Sequence, residues 1–319
     1  MAVGTAFFSE PNEFEAATLE LGNAHLCLTG PGPFRARLTQ VALGSLRLWA
    51  VDERPPCIAF FTVATDTVLV TLPLDRSPVS IWGGTASHPD EFMTHGPGGH
   101  AQLRTVGPCR WGAIWMPIEE LLRYGHSLLG DPLILPAGTR SWRPPAAAFR
   151  TLRALHAACV HAVERRPEAL AQTEATHGFR QQLIHALVEC LSDGPATEAT
   201  PALRGRQDIA VRFDALLRAQ PEVPHRPDSI AAALGVSRRY LGVACREQLG
   251  MGPAGFIRLH RMHLAHRDLR DRACDGMKVF EVARRYGFHD LGRFTRLYQG
   301  LFDELPSATQ CRAAPLDAA

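Results

Sequence analysis

Between Arg206 and Arg312 the chain carries 18 Lys+Arg against 12 Asp+Glu, and every basic residue there except Lys278 is arginine. A guanidinium is a planar fork of donors. It can grip a phosphate or a guanine edge at two points at once. A GC-rich genome would give the same arginine bias without any function, and that explanation carries most of the weight. From Met1 to Gly205 the balance reverses, 16 basic against 19 acidic, so the net +2 of the whole chain hides a basic C-terminal third. Such a third suits a polyanionic partner.

Other residues with chemical potential are sparser. His88, His95 and His100 lie in a glycine-rich stretch, but no tight H-x-H pair is present, and no metal or other cofactor is expected. His260, His263 and His266 read as part of a wet, partly basic helix face. Trp82, Trp111 and Trp115 could line a pocket for a small-molecule effector, since such pockets are mostly apolar. A packed β core is the commoner explanation for such tryptophans. The eight cysteines show no C-x-x-C, and a chain of 319 residues needs no disulfide staples, so reduced thiols and a cytoplasmic setting are expected. There is no G-x-x-x-x-G-K-[ST] or G-x-S-x-G motif. No catalytic residue is therefore proposed, and the chain is not expected to be an enzyme. No signal peptide is read at the N-terminus, and no stretch reaches the roughly 20 apolar residues of a membrane span.

The elements that hold these residues follow from patterning. Residues 1–145 contain short apolar runs, Phe34–Val41, Ser45–Val51, Cys57–Ala64 and Thr67–Leu72, separated by Gly/Pro punctuation. They predict a β-sandwich or barrel. Over 146–192 the period changes. Phe149, Leu152, Leu155 and Cys159 recur at helical spacing, as do Leu183, Ile184, Leu187, Val188 and Leu191. These predict two amphipathic helices whose stripes either cover the sheet or form a dimer seam. Residues 193–205 show no periodicity and read as a linker.

The last hundred residues contain a duplication. Ile230-Ala-Ala-Ala-Leu-Gly-Val236 followed by Ser237-Arg-Arg-Tyr-Leu241 reappears as Val282-Ala-Arg-Arg-Tyr-Gly-Phe288 followed by His289-Asp-Leu-Gly-Arg-Phe294. The offset is 52 residues before the turn and 53 after it, so the second turn is one residue longer. Ala231 and Ala283 are small where two helices must cross. Gly235 and Gly287 can take the left-handed conformation that ends a helix. Ser237 and Asp290 are good N-caps. Leu241, Cys245 and Leu249 share a face, as do Phe294, Leu297, Tyr298, Leu301 and Phe302. The opposite face is left free to enter a major groove. Between the copies, Ala254 to Arg270 predicts a linking helix of about 17 residues, about 25 Å long. It could hold two recognition helices about one DNA turn apart.

With this duplication the sequence resembles the AraC/XylS family of transcription regulators. The resemblance rests on Ile230–Ser237, Leu249-Gly-Met-Gly-Pro253, Arg261-Met-His-Leu-Ala265, Val282–Arg296 and Leu301-Phe-Asp-Glu-Leu-Pro-Ser307, within about residues 207–312. The Gly287–Thr295 segment looks like the variant found in ethanolamine-utilisation-type regulators. The resemblance implies an α+β multidomain chain. Its N-terminal part would be a cupin-like β effector domain (1–145) with a helical dimerisation or packing segment (146–192). Its C-terminal part would be an all-α DNA-binding domain with two helix-turn-helix units (206–312). In the first unit it places Arg239 on a base edge and Arg238 and Arg246 on phosphates. Gly242 and Val243 would permit close approach or touch a thymine methyl, or else this helix would contribute little specificity. In the second it turns Gly292, Arg293, Arg296 and Gln299 outward, with the two arginines as the contacts. Implied partners are double-stranded promoter DNA, RNA polymerase, an unidentified small-molecule effector and a second copy of the chain, with no membrane. The implied function is that of a ligand-responsive activator. The alternatives are a cupin-type enzyme fused to a DNA-binding tail, or control by a protein docked on 146–192.

Overall fold

A computed structural model describes residues 3–19, 24–75, 80–135, 138–165, 173–221, 223–271 and 277–313. In chain order the N-terminal elements are β1 (Gly4–Phe8), α1 (Pro11–Thr18), β2 (Ala24–Leu28), β3 (Arg35–Leu43), β4 (Leu46–Arg54), β5 (Cys57–Thr62) and β6 (Thr67–Pro73). There follow β7 (Ile81–Trp82), β8 (Thr85–Ala86), β9 (Phe92–His95), β10 (His100–Arg104), β11 (Cys109–Pro117), α2 (Ile118–Leu129), β12 (Thr139–Trp142), α3 (Ala146–Arg165), α4 (Thr173–Ser192) and β13 (Ala196–Glu198). The remainder is helical: α5 (Pro201–Ala219), α6 (Pro227–Ala233), α7 (Arg238–Leu249), α8 (Pro253–Asp271), α9 (Val279–Arg285), α10 (Leu291–Phe302) and α11 (Pro306–Ala313). The chain divides into two compact units. One is 1–26, 34–54 and 59–200, and the other is 27–33, 55–58 and 201–319.

The four apolar runs read as strands become β3 to β6, with boundaries shifted by up to three residues. Gly44 sits at φ +68° and closes the tight reversal between β3 and β4, where Leu43 pairs with Leu46. These strands belong to an eight-stranded sheet of order β1-β3-β4-β11-β6-β9-β12-β13, while β2-β5-β10-β7-β8 form a second sheet. Strand β11 shows why the first sheet is buried on both faces. Its residues alternate sides, and Trp111 through Met116 are all buried. Ile114 and Met116 join Val41, Leu43, Leu48 and Val70 in a core shared with Leu152, Cys159, Leu183, Leu187 and Leu191. The stripes of α3 and α4 thus cover the sheet, the first of the two roles left open by the sequence. The other face of β11 carries Trp111 and Trp115, which meet aromatic rings.

Two buried histidines fasten this unit. A Cβ on Gly112 would come within 3.0 Å of the His156 ring, so the glycine lets α3 approach the sheet. His156 Nε2 donates to the Trp49 carbonyl at 3.0 Å. His95 lies between the hydroxyls of Thr71 (3.1 Å) and Thr139 (3.0 Å). Burial pushes both imidazoles down, His156 to about 4 and His95 to about 3.

The segment expected as a linker, 193–205, contains β13 and the first turn of α5. Strand β13 pairs antiparallel with β12, and α5 starts on Pro201, a residue favoured in a first helical turn. The buried residues of α5 begin only at Ile209, so its first two turns show no apolar period. In the second unit, Phe213 of α5 packs on Phe256 of α8 with ring centroids 5.5 Å apart. Cys27, Cys57, Cys109, Cys159, Cys190 and Cys245 are buried, Cys311 is exposed, and Cys274 lies outside the described residues. Among the described residues no helix is long and apolar enough to cross a membrane.

Candidate nucleic-acid interface

The duplicated sequence folds into two helix pairs with the same backbone bonding. In the first, Gly235 at φ +70° ends α6; its N–H reaches the Ala232 carbonyl at 3.1 Å, and the Val236 N–H reaches Ala231 at 3.0 Å. In the second, Gly287 at φ +78° ends α9; its N–H reaches Arg284 at 2.9 Å, and the Phe288 N–H reaches Ala283 at 2.9 Å. Both pairs of bonds follow the 52-residue offset. The caps follow the 53-residue offset. The Tyr240 N–H donates to Ser237 Oγ at 3.1 Å, and the Arg293 N–H donates to Asp290 Oδ1 at 2.9 Å. A left-handed residue at the end of one helix and a side-chain cap at the start of the next fix a sharp turn without orphaning buried backbone groups. Ala231 and Ala283 are buried, as required where helices cross closely.

This bonding sets which face of each second helix is free. In α7, Leu241, Ala244, Cys245, Gln248 and Leu249 are buried, while Arg238, Arg239, Val243 and Arg246 are exposed. Gly242 departs from its expected place. It is buried, because the Arg246 guanidinium folds back over it, 3.6 Å from where a Cβ would stand. Arg238 is engaged with Asp228 of α6 at 3.2 Å. In α10, Phe294, Tyr298, Leu301 and Phe302 are buried, and Gly292, Arg293, Arg296 and Gln299 are exposed. Exposed guanidiniums therefore line the outer face of both α7 and α10.

Helix α8 joins the pairs. Its 19 residues span about 28 Å at 1.5 Å per residue, close to the expected linking helix. Its histidines are not on a wet face. His260 is buried, His263 is half-buried against Phe302, and His266 stacks on the Phe302 ring at 4.2 Å. A helix with neighbours on several sides has little water-facing surface to give them. The sequence reading also passed over Arg226, Arg258 and Arg261. With Arg293 they line a cavity of about 340 Å³. The spacing of Arg258 and Arg261, three apart on one helix, was the available signal.

In the other unit, Trp82, Trp111 and Trp115 are all buried. Trp82 and Trp111 meet edge to face at 5.5 Å, and Trp115 meets Trp49 in the same way at 4.7 Å. The Trp111 indole N–H donates to the buried Glu53 carboxylate at 3.3 Å. Of the three histidines, His95 is enclosed, while His88 and His100 are exposed.

A family model described as a helix-turn-helix domain matches residues 230–312. The probable thc operon regulatory protein of Rhodococcus erythropolis is 37% identical over 112 residues, which is 34% of this chain and 32% of that protein. The XylDLEGF operon transcriptional activator of Pseudomonas putida is 32% identical over 87 residues, 27% of each chain. The chain thus spans only about a third of the length of the curated relatives it matches. Among solved structures, the AraC-like transcriptional activator CuxR covers 83% of this chain and 95% of its own, at 17% identity and a TM-score of 0.44. A probable AraC family transcriptional regulator from Rhodopseudomonas palustris CGA009 is 30% identical, covering 34% of this chain and 99% of its own, with a TM-score of 0.31.

The C-terminal helices thus form a helix-turn-helix domain of the DNA-binding class. Through that domain the chain belongs to the AraC/XylS family of transcription regulators.

Proposed function

We propose that the chain is a sequence-specific regulator of transcription whose two helix-turn-helix units read adjacent major grooves of double-stranded promoter DNA. The observation that carries this is the paired bonding at Gly235/Ser237 and Gly287/Asp290, which leaves exposed guanidiniums on both α7 and α10. In this reading Arg239 contacts a base edge, Arg246 contacts phosphate and Val243 touches a thymine methyl. Arg293 and Arg296 contact DNA in the second unit, with Gly292 and Gln299 beside them. Arg238, tied to Asp228, gives a weaker phosphate contact.

The domain plan in this reading is a cupin-like effector domain over 1–145, a helical segment over 146–192, a short connection, and a DNA-binding domain over 206–312. The effector would sit near Trp82, Trp111 and Trp115. A buried carboxylate, Glu53, and a buried imidazole, His95, next to aromatic rings support that place. Ligand-responsive activation, contact with RNA polymerase and a homodimer complete the reading. The cupin-enzyme alternative finds no support. The relatives that the chain matches over its C-terminal part are regulators of transcription.

Arg239→Ala tests the base-reading role. Losing a bidentate contact to a base costs about 1–3 kcal/mol. Affinity for a selected site should fall roughly 5- to 150-fold, while affinity for nonspecific duplex stays nearly constant. Equal weakening on both, measured by titration of the full chain, would make Arg239 a backbone contact instead.

A further inference from the structure

The cavity of about 340 Å³ in the second unit lies where three segments meet. These are His225–Pro227 ahead of and into α6, the Ala254–Arg261 part of α8, and Gly287–Leu297 at the second turn and the first part of α10. Arg226 is held extended (φ −120°, ψ 149°) before Pro227, the backbone that proline favours in its predecessor. Arg261 bridges the two helix pairs. It donates from Nη2 to the His225 carbonyl at 3.2 Å, and its Nη1 stands 3.4 Å from the position a Cβ on Gly287 would take. Arg258 lies on the same side of α8 one turn earlier, and Arg293 enters from α10.

Four guanidiniums thus share one cavity with a single carboxylate, Asp290, whose Oδ1 already caps α10. Among the described residues no carboxylate pairs with Arg226, Arg258 or Arg293. Burial without a compensating carboxylate also draws the Arg261 pKa below its ordinary value. Converging like charges repel, and a phosphate oxygen pair matches the guanidinium fork. Arg293 is common to this cavity and to the outer face of α10, so an anion held here would continue the surface that α10 presents.

We propose that this cavity receives backbone phosphate of the DNA strand that crosses between the two major grooves read by α7 and α10. The site rests on the DNA-binding reading above. Arg226 and Arg258 contribute charge and register rather than base choice. Arg261 is a positioning residue that ties the first helix pair to the turn of the second.

The test compares the full chain with its Arg226→Gln/Arg258→Gln variant on a 40-bp duplex selected from a random pool by the full chain. Both replaced side chains are exposed, and circular dichroism checks that the fold is kept. Each phosphate contact contributes a slope of about −0.9 in log K against log salt. The variant should lose roughly two contacts' worth of slope and keep the same preferred sequence. Ethylating the phosphates midway between the two protected grooves should weaken the full chain but not the variant. If the full chain binds and the variant shows the same slope and the same ethylation pattern, the cavity is not a phosphate site. An altered sequence preference with an unchanged slope would overturn it as well. Inorganic phosphate bound by the full chain and not by the variant, with no change in DNA slope, would assign the cavity to a free anion and against this proposal. If the full chain binds no duplex at all, the DNA-binding reading itself fails, and the site with it.

Discussion

Lowering the pH from 6.5 to about 4 is expected to destabilise the N-terminal unit by several kcal/mol. His156 and His95 are held neutral by burial, with pKa values pushed from 6.5 to about 4 and about 3. In the unfolded chain both take up a proton as the pH falls through 6.5, while the folded chain does not. The unfolded state therefore binds more protons in this window, and stability falls with pH. The contribution is fully present above 6.5. It is exhausted near pH 4 for His156 and near pH 3 for His95. At 1.36 kcal/mol per pKa unit, each histidine removes on the order of 3 kcal/mol between pH 6.5 and 4. That is a large share of the roughly 5–15 kcal/mol that holds a domain. All five tryptophans, Trp49, Trp82, Trp111, Trp115 and Trp142, lie in this unit, so thermal unfolding followed by tryptophan emission reports it directly. The midpoint should drop steadily from pH 6.5 to 4. His156→Gln, which keeps a donor for the Trp49 carbonyl, should remove about half of the drop. A midpoint that stays constant across the window would show that neither imidazole is held neutral.

Phe294→Ala is expected to cost the DNA-binding unit about 3–5 kcal/mol, the usual range for emptying a phenylalanine site in a core. Phe294 is fully buried, with Phe288 at 5.1 Å and Tyr298 at 5.6 Å between ring centroids. Tyr298 continues the stack to Phe302 at 4.7 Å and fixes it through its hydroxyl, 2.7 Å from Thr309 Oγ1. The cavity left by Phe294 would open beside the turn that orients Arg293 and Arg296, so DNA binding should fall together with stability. Urea unfolding followed by helical circular dichroism checks it. An unchanged helical transition would mean that the second helix pair is not held by this stack.

The duplicated region was legible because its turns impose strict demands on residue type. A left-handed helix end calls for glycine and a helix start for a short polar cap, and Gly235, Gly287, Ser237 and Asp290 stand where those demands fall. Strands β3 to β6 were legible from their apolar runs. Strands β7 to β10 were not. β7 and β8 have two residues each, and the glycines around them read as punctuation. The role of His95 was not legible either, because its partners Thr71 and Thr139 come from strands distant in sequence. The burial of Gly242 depends on how the Arg246 side chain folds, which spacing cannot reveal. Nor can it reveal the convergence of Arg226, Arg258, Arg261 and Arg293, which are brought together only by the packing of α8 against both helix pairs.

The most direct test of DNA recognition by paired helix-turn-helix units is footprinting of the full chain on DNA upstream of its own and neighbouring genes, at two salt concentrations. Protection of two successive major grooves on one face of the duplex is the predicted result, with affinity falling steeply as salt rises. Protection of a single groove, or binding indifferent to salt, would contradict a domain that lays two arginine-bearing helices against one duplex.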